Sequence, residues 1–134
     1  MLLIGVPMDK YTNEYLFLNE VCNKILAYDF ESSIVFFHLP CVVVNNDHEY
    51  IFKTEEELKA WLSSFCKKLE PESSEELTFT LRKTVAMSPT ITFSQVSLEG
   101  LRLLKEKKQF DVSFTLSSDV DETLKIIVVV LDDI

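Results

Sequence analysis

The order of the secondary-structure patterns is the feature that most constrains the fold. Residues up to about Leu69 follow mostly helical patterns, and residues from Leu77 to Leu131 follow almost wholly strand-like ones. This segregation excludes an alternating βαβ chain and favours helices packed on one face of an antiparallel sheet. The sequence therefore predicts an α+β cone, with three N-terminal helices on a curved, mostly antiparallel sheet of five or six strands.

Three helices are predicted in the N-terminal half. The first spans Thr12–Tyr28, where apolar residues recur at spacings of three and four. Asp29 is expected to cap a short second helix that ends at Pro40, because the residue before a proline avoids helical geometry. The third helix, Glu55–Leu69, opens with the Thr54–Glu57 capping box.

The strand patterns carry two further predictions. Cys41–Val44 and Glu49–Phe52 are expected to pair as a short hairpin, and a change of apolar parity predicts a β-bulge near Ser94–Gln95. Ile126–Leu131 is apolar at every position, which indicates that both faces of the last strand are covered. The helices would cover one face, and a homodimer through the sheet is the preferred cover for the other.

The charge balance limits the classes of partner. The 134 residues include 13 Lys and Arg against 22 Asp and Glu, a net charge of −9. A field of that sign repels phosphate backbones and anionic lipid surfaces. No nucleic-acid partner and no membrane partner are expected.

The cysteines and the N-terminus indicate the compartment. Cys22, Cys41 and Cys66 are far apart in the sequence, which favours free thiols in a reducing environment over a disulfide framework. The apolar start of the chain is too short for a membrane span, which needs about 20 residues. We expect one cytoplasmic domain, residues 1–134, with residues 1–11 as an N-terminal extension.

The layout resembles the nuclear transport factor 2-like superfamily, which includes ketosteroid isomerases and polyketide-cyclase-like proteins. The stretch LAYDFESSIVFFHLPCVVVNNDHEYIFKTEEELKAWLSSF, residues 26–65, is similar to the superfamily's usual opening, in which an Asp starts the second helix and an aromatic residue ends it. The C-terminal FTLSSDVDETLKIIVVVLDD is similar to its closing hairpin. The resemblance implies a cone whose mouth can hold a small molecule, but the superfamily's functions are diverse.

The resemblance does not carry a catalytic set to this chain. In the isomerases a Tyr of the first helix and an Asp at the end of the first strand act on the substrate, and these places fall at about Val21 and Asn45 here. Valine has no proton to donate, and a neutral amide is a poor base. A slip of the register by a residue or two would bring in only Cys22, Asn46 or Asp47. The dehydratase-like pattern of two histidines on later strands is also missing, because no His follows His48.

Four residues are candidates for lining a pocket between the helices and the sheet: Tyr15, His38, Trp61 and Phe65. The aromatic residues lie on helices that face the sheet, and His38 falls where the resemblance places the mouth of the cone. Plain core packing is the alternative for the aromatic residues, and an exposed loop position is the alternative for His38. The two histidines have no metal-site spacing, so no metal and no cofactor are expected.

The leading hypothesis is an uncharacterised domain that binds a small apolar molecule in the cone without catalysis. A lyase or isomerase acting on an apolar ring compound is one alternative, and it would need an ionisable group with a shifted pKa in the pocket. A protein-interaction or dimerisation module with a filled cone is another, which ten phenylalanines make credible. A cavity of a few hundred Å³ with a polar group would favour the first two hypotheses, and a closed one would favour the third.

Overall fold

The computed structural model describes residues 12–45, 48–68, 70–71, 78–103, 107–121 and 123–131. The expected N-terminal extension, residues 1–11, lies outside these ranges. The elements are α1 (Thr12–Leu26), α2 (Phe30–Ser33), a 3₁₀ turn (Ile34–Phe36), β1 (Phe37–Asn45), β2 (His48–Phe52), α3 (Glu55–Lys68), β3 (Glu70–Pro71), β4 (Thr78–Ala86), β5 (Ile91–Leu103), β6 (Lys107–Ser118) and β7 (Leu124–Leu131).

Helix α1 ends two residues before the predicted boundary because the backbone turns left-handed there. Tyr28 has φ of 64°, a conformation that costs a non-glycine residue about 1–2 kcal/mol. The backbone N–H of Asp29 donates to the carbonyl of Lys24 over 3.0 Å, so this carbonyl in the last turn of α1 has a hydrogen-bond partner. The Tyr28 hydroxyl also donates to the carbonyl of Cys66 over 3.1 Å, so the turn is held against α3.

The second helix is shorter than predicted, although its cap is confirmed. Asp29 is the N-cap of α2, and its carboxylate accepts a bond from the Ser32 N–H over 3.2 Å. The helix does not reach Pro40: the chain is already strand from Phe37 onward, and Pro40 lies within β1. The register between β1 and β7 shifts between Phe37 and Val42, so the proline falls in an irregular stretch where a missing N–H is tolerated.

The capping box of α3 is confirmed atom by atom. The N–H groups of Lys53 and Thr54 donate to Glu57 Oε1 over 2.9 and 3.2 Å. The N–H of Glu57 donates in return to Thr54 Oγ1 over 3.2 Å. Because these bonds are local in sequence, the start of this helix could be predicted to the residue.

The sheet runs in the order β2-β1-β7-β6-β5, and β4 and the two-residue β3 share the far edge of β5. Strands β1 and β7 are parallel, whereas the other pairs are antiparallel. The predicted α+β class, with three helices on a curved and mostly antiparallel sheet of six long strands, is confirmed for the described residues. The hairpin of β1 and β2 is also confirmed, with Asn45 opposite His48 as its closing pair.

The sequence predicts a bulge in β5 near Ser94–Gln95. This prediction is wrong, because the bulge lies in the neighbouring strand β4. Strand β5 keeps an unbroken register with β6 from Ile91 to Glu99. The extra residue is Arg82 of β4, because Leu81 pairs with Val96 and Lys83 pairs with the adjacent Gln95. The parity change within β5 arises because Ile91 and Phe93 face away from the helices.

The core lies between the helices and the face of the sheet that they cover, which we call the inner face. Its fully buried residues include Leu18, Val21, Leu58, Val43, Val96, Leu116 and Ile126. The opposite, outer face carries one cross-strand row that we call the outer row: Val85, Phe93, Thr115, Val128, Val42 and Ile51, one residue from each long strand. Within the described residues, no helix has both the length and the apolar character needed to cross a membrane.

Candidate functional site

A small cavity lies between α1, α3 and the inner face of the sheet. Its volume is about 50 Å³. Its lining consists of aliphatic, aromatic and thiol side chains: Cys22, Ile25, Leu26, Phe37, Trp61, Leu62, Phe65, Leu98, Val112, Phe114, Val129 and Leu131. These side chains offer a ligand mostly apolar contact, and among them only the Cys22 thiol and the Trp61 indole N–H carry a polar hydrogen.

Two of the four candidate pocket residues lie at this cavity. Trp61 and Phe65 both line it, one turn apart on α3, and their rings stack with centroids 4.9 Å apart and planes 10° apart. Phe65 is buried, whereas Trp61 is half-buried and reaches the surface. Whether either residue binds a ligand remains a prediction.

The other two candidates lie elsewhere. Tyr15 is 38% exposed, and its ring meets that of Phe79 edge-to-face at 5.5 Å, at the β4 side of the sheet. His38 is exposed on β1. Neither residue lines the cavity, because α1 and the early start of β1 direct them away from it.

Comparisons with solved structures identify the fold. A ketosteroid isomerase-like protein from Erwinia carotovora atroseptica superposes with a TM-score of 0.68 and 11% identity, covering 90% of this chain and 92% of the other. An NTF-2 like protein of unknown function from Shewanella oneidensis has a TM-score of 0.68 and 14% identity, covering 96% of this chain and 100% of the other. An NTF2-like protein from Cytophaga hutchinsonii has a TM-score of 0.62 and 15% identity, covering 92% of this chain and 98% of the other.

The chain has the nuclear transport factor 2-like fold. No family profile matches the sequence, and no curated protein matches it. At these identities the comparisons carry the fold and leave the function to be argued from the site.

The resemblance puts the two isomerase residues at about Val21 and about Asn45, and neither of these is a tyrosine or an aspartate. Val21 lies on α1 and is fully buried in the core of the domain. Asn45 is the last residue of β1, and its buried Oδ1 atom has no hydrogen-bond partner among the residues that the structure describes. No group of three or more potential metal ligands is found in the described parts of the chain.

The thiol at the cavity is poorly suited to chemistry. Burial raises the pKa of the Cys22 thiol to about 12, so the thiolate that acts as nucleophile is scarce at neutral pH. Cys41 and Cys66 are also buried, and burial raises their pKa to about 12 and about 11. All three are free cysteines, and they act as small apolar residues of the core.

A row of aromatic rings, which the sequence analysis missed, links the cavity to the edge of the sheet. His48 stacks on Tyr50, Tyr50 on Phe52, Phe52 packs on Trp61, and Trp61 stacks on Phe65, with centroids 4.9–6.3 Å apart. The signal was available, because residues 48, 50 and 52 alternate along one strand and must share a face. Beside this row, an open groove of about 560 Å³ lies between β2 and α3, lined by Glu49, Tyr50, Ile51, Phe52, Glu57, Ala60, Trp61 and Ser64.

Proposed function

We propose that this chain is a non-catalytic nuclear transport factor 2-like domain that acts as a dimerisation and protein-interaction module. The observation that carries the proposal is the size of the cone's cavity, about 50 Å³, against roughly 300–1,000 Å³ for ordinary small-molecule sites. The chain's own aromatic and aliphatic side chains surround this small space, which supports a filled cone. This is the filled-cone alternative that the sequence left open.

The outer row supports a homodimer through the sheet. Its members run across all six long strands, and five of the six are apolar: Val85, Phe93, Val128, Val42 and Ile51. Val85 and Ile51, at its two ends, are 41% and 59% exposed, and the members between them are half-buried. A twofold axis through the sheet would place the row against its own copy, which is how isologous dimers bury one patch twice.

The oligomeric state in solution tests this proposal. We expect the wild-type chain to sediment as a dimer, and Thr115→Lys or Val128→Lys to sediment as monomers with an unchanged circular dichroism spectrum. Val120→Lys is the matched control, because Val120 is 98% exposed in the turn before β7. A monomeric wild type, or equal loss of dimer in the control, would contradict the proposal.

Binding of a small apolar molecule is the second candidate. It is favoured by the mostly apolar lining, and by Trp61, which extends from the cavity to the surface. Titration with the neutral fluorescent probe N-phenyl-1-naphthylamine tests it. Saturable binding of one probe per chain would favour this candidate over the filled cone, and binding that does not saturate would reject it.

A lyase or isomerase is not proposed. The only titratable group among the residues that line the cavity is the Cys22 thiol, whose pKa is raised to about 12 by burial. General acid–base catalysis needs a group with a pKa near the working pH. The free, buried cysteines support the proposal that the chain works in a reducing compartment such as the cytoplasm.

A further inference from the structure

Strand β2 forms one edge of the sheet among the residues that the structure describes. It pairs with β1 on one side, and no described strand pairs with its other side. Its five residues, HEYIF, include no lysine and no proline, and its register with β1 is unbroken. Natural edge strands commonly carry such residues or bulges because free backbone N–H and C=O groups invite pairing with another chain.

The groove beside this edge supplies side-chain contacts in addition to the backbone. Tyr50 and Phe52 present stacked rings with planes 4° apart, and Trp61 of α3 forms the opposite wall. Tyr50 is 38% exposed and Ile51 is 59% exposed. Large exposed aromatic and aliphatic residues in a concave site are typical of protein-recognition surfaces.

The charge of the groove selects the partner's chemistry. The charged residues that line the groove are two glutamates, Glu49 and Glu57. Hydrogen bonds from the backbone of Lys53 and Thr54 hold the pKa of Glu57 below its ordinary value, so both carboxylates of the groove carry charge at neutral pH. The net charge of −9 adds a long-range attraction for cations.

We propose that the free edge of β2 and its aromatic groove accept an extended basic segment of a partner protein as an added β-strand. Backbone hydrogen bonds to the edge provide affinity, and alternate side chains of the guest provide specificity. Apolar side chains of the guest lie against Tyr50, Phe52 and Trp61, and its cations face Glu49. The inference does not require the outer-face dimer, although Glu49 and Ile51 alternate with Tyr50 and Phe52 and so lie on the face that carries the outer row.

The probe for this site is an acetylated, amidated hexapeptide of alternating lysine and valine. Trp61 is the single tryptophan of the chain and lines the groove, so its emission reports occupancy. We expect saturable quenching by this peptide. The same peptide with every amide N-methylated should not bind, because it cannot pair with the edge, and a glutamate–valine peptide should not bind because of its charge.

The matched protein variants are Glu49→Lys and Glu20→Lys. Both make the same change of charge, but Glu20 is exposed on α1, outside the groove. We expect Glu49→Lys to weaken peptide binding by about fivefold or more, and Glu20→Lys to weaken it by less than about twofold. Both variants should keep the wild-type melting temperature, since each site is exposed.

Three results would overturn the inference. One is the absence of saturable quenching, and another is equal weakening in the two variants. The third is equal binding of the N-methylated peptide, since this would show that the peptide binds by its charge and side chains without adding a strand. Sedimentation reports the dimer and Trp61 emission reports the peptide, so the two proposals have separate readouts.

Discussion

At the scale of single residues, position relative to the cavity matters more than residue type. Leu58 and Leu62 are one turn apart on α3 and are 0% and 2% exposed, so burial does not distinguish them. Only Leu62 lines the cavity. Truncation at the two sites therefore removes the same atoms from different surroundings.

Leu62→Ala and Leu58→Ala should each lower the free energy of unfolding by roughly 3–5 kcal/mol, measured by urea denaturation. Leu62→Ala should in addition enlarge the existing space enough to admit benzene, because dry apolar cavities bind such molecules. Benzene should then raise the melting temperature of Leu62→Ala and leave that of Leu58→Ala unchanged. Equal responses to benzene would show that the two sites are not distinct.

At the scale of elements, the carboxylate of Glu57 stabilises the start of α3 through bonds to nearby backbone groups. Glu57 accepts two backbone hydrogen bonds, and these bonds lower its pKa from the ordinary 4.5. A carboxylate with a lowered pKa in the folded state contributes stability that is present above the ordinary value and lost as the pH falls through the lowered one. The favourable field at a helix N-terminus acts in the same direction.

Glu57→Gln should therefore melt at a lower temperature than the wild type at neutral pH. The difference between the two should shrink as the pH falls below the ordinary glutamate value, because the wild-type carboxylate then becomes protonated. Glu56→Gln is the control, since Glu56 is exposed in the same turn and takes no part in the capping box. A difference that does not vary with pH would point to lost packing instead of lost charge.

At the scale of the whole molecule, three thiols report on opening of the core. Cys22, Cys41 and Cys66 lie on α1, β1 and α3, and they are 7%, 0% and 0% exposed. Their raised pKa values keep them protonated in the folded chain at a pH where the unfolded chain ionises, from about 9.0 upward. Folding stability should accordingly fall as the pH rises past that value.

We expect the native chain to resist 5,5′-dithiobis(2-nitrobenzoic acid) at mildly alkaline pH and to react fully once unfolded in urea. The slow native reaction should follow the rate of global unfolding for all three thiols, because each is buried in the folded chain. Fast labelling of one thiol before the others would reveal local opening of its element. That result would contradict the expectation that the three thiols become accessible only on global unfolding.

How far the sequence could predict the structure depended on the range of the interactions. The capping box and the Asp29 cap were predictable because each involves atoms a few residues apart. The bulge was assigned to β5 and lies at Arg82 of β4, because parity within one strand does not show which of two partners holds the extra residue. Tyr15 and His38 were expected at the cone, but the helix orientation and the early start of β1 place them outside the cavity.

The sequence alone determined the types of the elements, their order and the layered α+β arrangement, because periodicity and caps are local properties of the chain. Only the tertiary structure decided that the cavity is about 50 Å³ and that the aromatic row continues from Phe52 through Trp61 to Phe65. The volume left inside a core depends on how side chains from distant strands and helices fill it together. No pattern within a single element contains that information.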